Sequence, residues 1–140
     1  MSNFRFYYPA QIRYADLDAQ WHVNNARFLT ILEQARLHYL LELGLWEGKS
    51  FLDLGVIIAD IHIAYLAPIE LLDEIKVGTR ISRIGNKSMT FENEIQDCKD
   101  GSIKAKAEVV VVAYDFRSQQ TKAVPLAWRK KISEYEGLGK

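Results

Sequence analysis

The sequence predicts an α+β fold in which an antiparallel β-sheet wraps around one long central helix. Three observations predict it. One segment, residues 26–43, has helical periodicity, and its apolar arc is too broad for a single stripe. From residue 56 to residue 114 the apolar residues recur instead with a period of two. Short turn-forming clusters separate the alternating runs, so neighbouring strands pair as hairpins.

An opening strand is expected over residues 5–14. In the helix, Phe28, Leu32, Ala35, Tyr39 and Leu43 recur at spacings of three and four and share a face, while Arg27, Gln34, His38 and Glu42 fall on another. Leu29, Leu37, Leu40 and Leu41 widen the apolar arc, so the helix must be covered on more than one side. Asn24 or Asn25 suits the cap at its start, and Gly44 suits a left-handed end. The next strand sets Ile57, Ala59, Ile61, Ile63 and Tyr65 opposite Val56, Ile58, Asp60, His62 and Ala64 and stops near Pro68. Ile75, Val77, Thr79 and Ile81 follow, then Met89, Phe91, Asn93 and Ile95. The last long strand puts Ile103, Ala105, Ala107, Val109, Val111 and Ala113 on one face. Gly85-Asn86-Lys87 and Lys99-Asp100-Gly101 are the hairpin turns. Pro125 suits the first turn of a final short helix, Leu126–Glu136. Pro9, Pro68 and Pro125 are all expected at element boundaries. Val110, Val112 and Tyr114 point outward from the last strand, which predicts a sheet face covered by a second copy ahead of the alternative, a monomer with the final helix lying on that face.

At 140 residues the chain is read as one domain over residues 1–140, with no internal repeat or linker. Eighteen basic and eighteen acidic residues cancel, so nothing steers the whole molecule to nucleic acid or an anionic membrane. The single cysteine, Cys98, allows no internal disulfide, in keeping with a reducing compartment. The first eight residues lack the apolar core of a signal peptide, and no apolar run approaches the roughly 18 residues that cross a bilayer. A cytoplasmic location without membrane or nucleic-acid partners is expected. His22, His38 and His62 lack ligand spacing, so no metal is expected.

The chemistry concentrates between the first strand and the helix, in Asp16-Leu17-Asp18-Ala19-Gln20-Trp21-His22-Val23-Asn24-Asn25. Two carboxylates, a histidine, a glutamine and two asparagines are more than a turn requires, and loops held by rigid elements are where catalytic groups gather. Asp16 reads as a cap or turn former. Asp18 stands too early to cap the helix and is the candidate catalytic carboxylate. His22 is equally a structural partner or part of the site, Asn24 and Asn25 read first as capping residues, and Trp21 as packing. The first N–H groups of the helix lack intrahelical partners and, with the helix dipole, favour developing negative charge. A carboxylate beside such donors is what hydrolysis of an acyl compound needs.

The run Asp18-Ala19-Gln20-Trp21-His22-Val23-Asn24-Asn25, followed by Phe28 and Glu33-Gln34-Ala35-Arg36, resembles the signature of hotdog-fold acyl thioesterases: the 4-hydroxybenzoyl-CoA thioesterases, small bacterial acyl-CoA thioesterases and plant acyl-ACP thioesterases. Ile63-Ala64-Tyr65-Leu66-Ala67-Pro68 and Asp73 extend the likeness over most of the chain. The resemblance implies the hotdog fold and hydrolysis of acyl-CoA or acyl-ACP thioesters. Asp18 would be general base or nucleophile, with His22 beside it and the backbone N–H near Asn25 as the oxyanion donor. Gln20, Asn24, Ile57, Ile58 and Tyr65 would contact substrate. Coenzyme A would belong to the substrate, and no separate cofactor is implied. Two protomers would share each site, the loop from one and the strand near Ile57 from the other, in a homodimer or homotetramer. Gln20 stands where the acyl-ACP branch has Asn, and Trp21 where the 4-hydroxybenzoyl branch usually has Gly. Two other readings stand beside hydrolysis: an enoyl-thioester hydratase or dehydratase on the same fold, and a non-catalytic acyl-thioester-binding dimer.

Overall fold

The computed structural model describes residues 4–139. The chain runs β1 (Phe6–Ala10), α1 (Asn25–Glu42), β2 (Val56–Tyr65), β3 (Ile75–Ile84), β4 (Ser88–Asp97), β5 (Ile103–Asp115), β6 (Gln120–Thr121) and α2 (Leu126–Glu136), with single 3-10 turns at Tyr14–Asp16 and Phe51–Asp53. The strands pair antiparallel in the order β1-β3-β4-β5-β2, and β6 pairs with β5. β1 and β2 are consecutive in the chain yet lie at opposite sheet edges. The segment joining them must cross the sheet, and α1 is that crossing.

Packing holds α1 there. Phe28, Ile31, Leu32 and Ala35 pack with Ile75, Val77, Ile95, Ala105 and Ala107. Further along, Tyr39 and Leu40 cluster with Ile81, Phe91, Val109 and Val111, and with Ile132 from α2. Each fully buried large apolar side chain contributes about 1.5–3 kcal/mol relative to exposure, well beyond what propensity gives. Between the two clusters lies a buried polar pair, Asn93 Nδ2 donating to Thr79 Oγ1 at 2.9 Å. Gly44, at φ +72°, ends the helix in the left-handed conformation expected of it. Among the described residues, no helix is long and apolar enough to cross a membrane.

Two expectations need correction. The first strand covers only Phe6–Ala10, and Pro9 lies inside it rather than at a boundary. β1 is an edge strand paired only with β3, so a residue without an N–H is tolerated there. The alternation in β2 is interrupted: the register steps from Ile58↔Val111 to Asp60↔Val110, leaving Ala59 as a bulge. Ile58 therefore shares the face of Ile61, Ile63 and Tyr65, opposite the buried residues of β5, and Ile57 faces outward. One extra residue inverts parity, and apolar side chains on both faces hide the inversion in the sequence. The final helix falls where the sequence places it: α2 covers Leu126–Glu136, packs against β3 and closes the second cluster, while α1 crosses the sheet.

Candidate active site

The segment between β1 and α1 is folded back on itself by its own polar groups. Asp18 N–H donates to the His22 carbonyl at 2.9 Å, and Trp21 N–H to the Asp18 carbonyl at 3.0 Å. Asp18 Oδ1 accepts from Gln20 N–H at 2.9 Å, which leaves Oδ2 without a partner among the described residues. Backbone bridges Leu17↔Val23 and His22↔Glu70 tie this turn to itself and to the β2–β3 connection. Val23 N–H adds a bond to the Ile69 carbonyl at 2.8 Å. Glu70, which sequence reading missed, brings Oε2 to 3.9 Å from His22 Nε2. Forty-eight residues separate the two, so no local pattern could link them.

The tight turn forces Trp21 to φ +63°. A bulky residue there costs on the order of 1–3 kcal/mol, whereas glycine adopts the conformation freely. That explains why glycine suits this position. The expected packing role of Trp21 is not met: its ring is 61 % exposed and tilts against Tyr14 with centroids 6.0 Å apart.

Asp16 is the structural carboxylate. It is buried, accepts from Arg13 N–H and Arg13 Nη2 at 2.9 Å each, and lies 4.0 Å from Arg27 Nε. Burial alone would raise its pKa, but the hydrogen bonds and charge of Arg13, with the charge of Arg27, hold it below the usual carboxylate value. A carboxyl whose pKa is depressed by folding stabilises above its unfolded pKa, and that contribution is lost as pH falls through the folded one. Asp16→Asn is accordingly expected to be less stable than wild type at pH 7, by about 1–3 kcal/mol, with the gap closing below about pH 4. Urea titrations at the two pH values check this.

The start of α1 is capped by Asn24, whose Oδ1 accepts from Ala26 N–H at 2.8 Å. The Asn24 side chain is thereby engaged away from the cavity. The N–H of Asn25, first residue of the helix, has no partner among the described residues. Asp18, Gln20, His22, Asn25, Phe28 and Tyr65 line one cavity of about 270 Å³, closed by Val23, Leu66, Ala67 and Pro68. The structure thus brings together five of the residues singled out from the sequence: Asp18, Gln20, His22, Asn25 and Tyr65. Ile57 and Ile58 do not reach this cavity in their own chain; they stand on the open edge strand, 37 % and 44 % exposed. A larger hollow of about 420 Å³ on the outer sheet face has charged and apolar walls, among them the Arg80–Glu92 ion pair and Phe4. Among the described residues, no group of His, Cys, Asp and Glu is placed to hold a metal ion.

Residues 12–132 match the Thioesterase-like superfamily. The chain belongs to that superfamily. This thioesterase is 27 % identical over 124 residues to the long-chain acyl-CoA thioesterase FadM of Escherichia coli, covering 89 % of the chain and 94 % of the relative. It is 28 % identical over 122 residues to the acyl-CoA thioesterase YbgC of Haemophilus influenzae, covering 86 % and 88 %. A thioesterase of Thermus thermophilus, solved in complex with coenzyme A and Zn, superposes over the full length of both chains with a TM-score of 0.86 and 30 % identity. The expectation of a hotdog thioesterase from the Asp18–Asn25 signature is met at the level of family, fold and reaction class.

Proposed function

We propose that the protein hydrolyses acyl-CoA thioesters to a free carboxylic acid and coenzyme A. The observation that carries this is the shared cavity: Asp18, with one carboxylate oxygen open, and the unpartnered N–H of Asn25 line the same space. The thioester carbonyl oxygen lies toward the Asn25 N–H, where the helix dipole favours negative charge. Acting as general base, Asp18 takes a proton from water while the water oxygen bonds the acyl carbon; the C–S bond then breaks and the thiolate recovers the proton. Acting as nucleophile, Asp18 would instead bond the acyl carbon and displace the CoA thiolate, giving an anhydride that water opens to the free acid and the Asp18 carboxylate, with the water proton passing to the thiolate. Label found in Asp18 after a single turnover in oxygen-18 water identifies the second route, since general-base catalysis cannot place it there. His22 and Gln20 supply polar contacts at the cavity wall.

The names of the two bacterial relatives favour an acyl-CoA substrate over acyl-ACP. Release of free thiol from acyl-CoAs of short, long and aromatic acyl groups tests the reading; binding without thiol release would overturn it. Loss of enoyl-CoA absorbance in place of thiol release would instead support a hydratase.

The cavity holds a thioester head but little more, so a long acyl chain needs further apolar wall. The outer edge of β2 is open along ten residues, an edge that proteins normally cover. A second copy paired along β2 would bring the partner's apolar strip around Ile57 and Ile58 beside the cavity. Ile58→Asp is expected to shift the protein to monomer in sedimentation and to reduce thiol release at least tenfold, on the order of the 1.4 kcal/mol or more that a misplaced charge costs. A persistent, fully active dimer would contradict this pairing.

A further inference from the structure

We infer that the Tyr65 hydroxyl is a second oxyanion donor, parked on the helix start until substrate arrives. The inference rests on the thioester reading above and gives Tyr65 a role beyond lining the acyl site. Tyr65 ends β2, forty residues beyond Asn25, and its Oη donates to the Asn25 carbonyl at 3.1 Å. That carbonyl does not depend on it. In an α-helix the carbonyl of the first residue already accepts from the N–H four residues on. Tyr65 can therefore leave without orphaning a buried acceptor, and being 45 % exposed it can turn. The Phe28 edge, 5.0 Å from the Tyr65 ring centroid to centroid, supports the ring from the core side.

The donated bond and the free N–H belong to the same residue. The N–H and the carbonyl of Asn25 point in opposite directions along the helix, so the phenol must leave its present bond and swing to reach an oxygen held at the N–H, and the cavity that Tyr65 and Asn25 line together with Asp18 is the space for that movement. Tyrosine hydroxyls serve as oxyanion donors in acyl transfer, and a donor aimed where charge develops acts on the transition state more than on the bound substrate. No proton need be transferred: the phenol donates a hydrogen bond to the oxygen while the carbonyl carbon is tetrahedral, and returns to Asn25 when the carbonyl re-forms.

Tyr65→Phe keeps the ring and removes the donor. With acyl-CoA, kcat is expected to fall by about 10²-fold while KM stays within about twofold. A CoA ketone analogue that adds water to become tetrahedral should bind the variant more weakly by about the same factor, and a CoA thioether analogue, which has no carbonyl, should bind both proteins alike. Turnover within about threefold of wild type, or equal weakening of both analogues, would overturn the role of Tyr65 alone. A wild-type protein that releases no thiol would overturn it together with the thioester reading.

Discussion

Asp18→Asn is expected to leave the fold intact and to lower turnover by at least about 10²–10³-fold, the loss that removal of a single transition-state donor produces. The substitution is conservative where the structure needs it to be. Asp18 Oδ1 accepts from Gln20 N–H, and an asparagine carbonyl accepts that bond as well. The backbone bonds from Asp18 N–H to His22 and from Trp21 N–H to Asp18 do not involve the side chain. What is lost is the basic oxygen on the open side of the carboxylate. KM for acyl-CoA should move little, because an amide fills the same space, and the loss should appear in kcat. Thiol release under saturating acyl-CoA, beside a urea titration showing unchanged stability, checks both halves. A variant as active as wild type would remove Asp18 from the chemistry.

Tyr39→Ala carries the largest expected cost to stability, about 3–5 kcal/mol, the range for truncating a fully buried aromatic side chain. Tyr39 is fully buried, and its ring meets Phe6, Phe91 and Tyr135 edge-on at 5.7, 5.5 and 6.0 Å. Its hydroxyl donates to Glu136 Oε2 at 2.6 Å, and the same oxygen accepts from Ile81 N–H at 3.3 Å. One side chain thus joins α1, β3 and α2. Burial, followed by the bond and charge of Glu136, pushes the phenol pKa far above its ordinary value, so it stays a neutral donor at all working pH. Tyr39→Phe keeps the packing and leaves Glu136 short of one donor, at a cost of about 1–3 kcal/mol. Chemical denaturation of the two variants should show that ordering. Equal stabilities would mean that the ring, not the hydroxyl bond, carries nothing at this junction.

Much of this arrangement is legible in the residues themselves. The broad apolar arc of α1 demanded cover on several sides, and the crossing of the sheet supplies it. Asn93 falls on the buried face of β4 by alternation alone, though only the register with β3 reveals Thr79 as its partner. Offset to the helix does not separate Asp16 from Asp18, since both stand well before Asn25; the signature resemblance points to Asp18, and Arg13 and Arg27 stand close enough in sequence to explain the structural role of Asp16. The parts that stayed hidden depend on backbone or on distance. The bulge at Ala59 leaves no trace in a strand apolar on both faces. The left-handed Trp21 is imposed by bonds between main-chain groups. Glu70 beside His22 and Tyr65 on Asn25 join residues far apart in the chain, which no local period can pair.

If a thioester carbonyl sits against the N–H of Asn25 with Asp18 facing it, the infrared stretch of that carbonyl reports the contact. Acyl-CoA labelled with carbon-13 at the carbonyl, bound to the slow Asp18→Asn variant, should show its C=O band displaced to lower frequency than in water, as a hydrogen-bonded and polarised carbonyl does. A band at or above the aqueous position in the bound complex would mean that the Asn25 N–H does not hold the carbonyl.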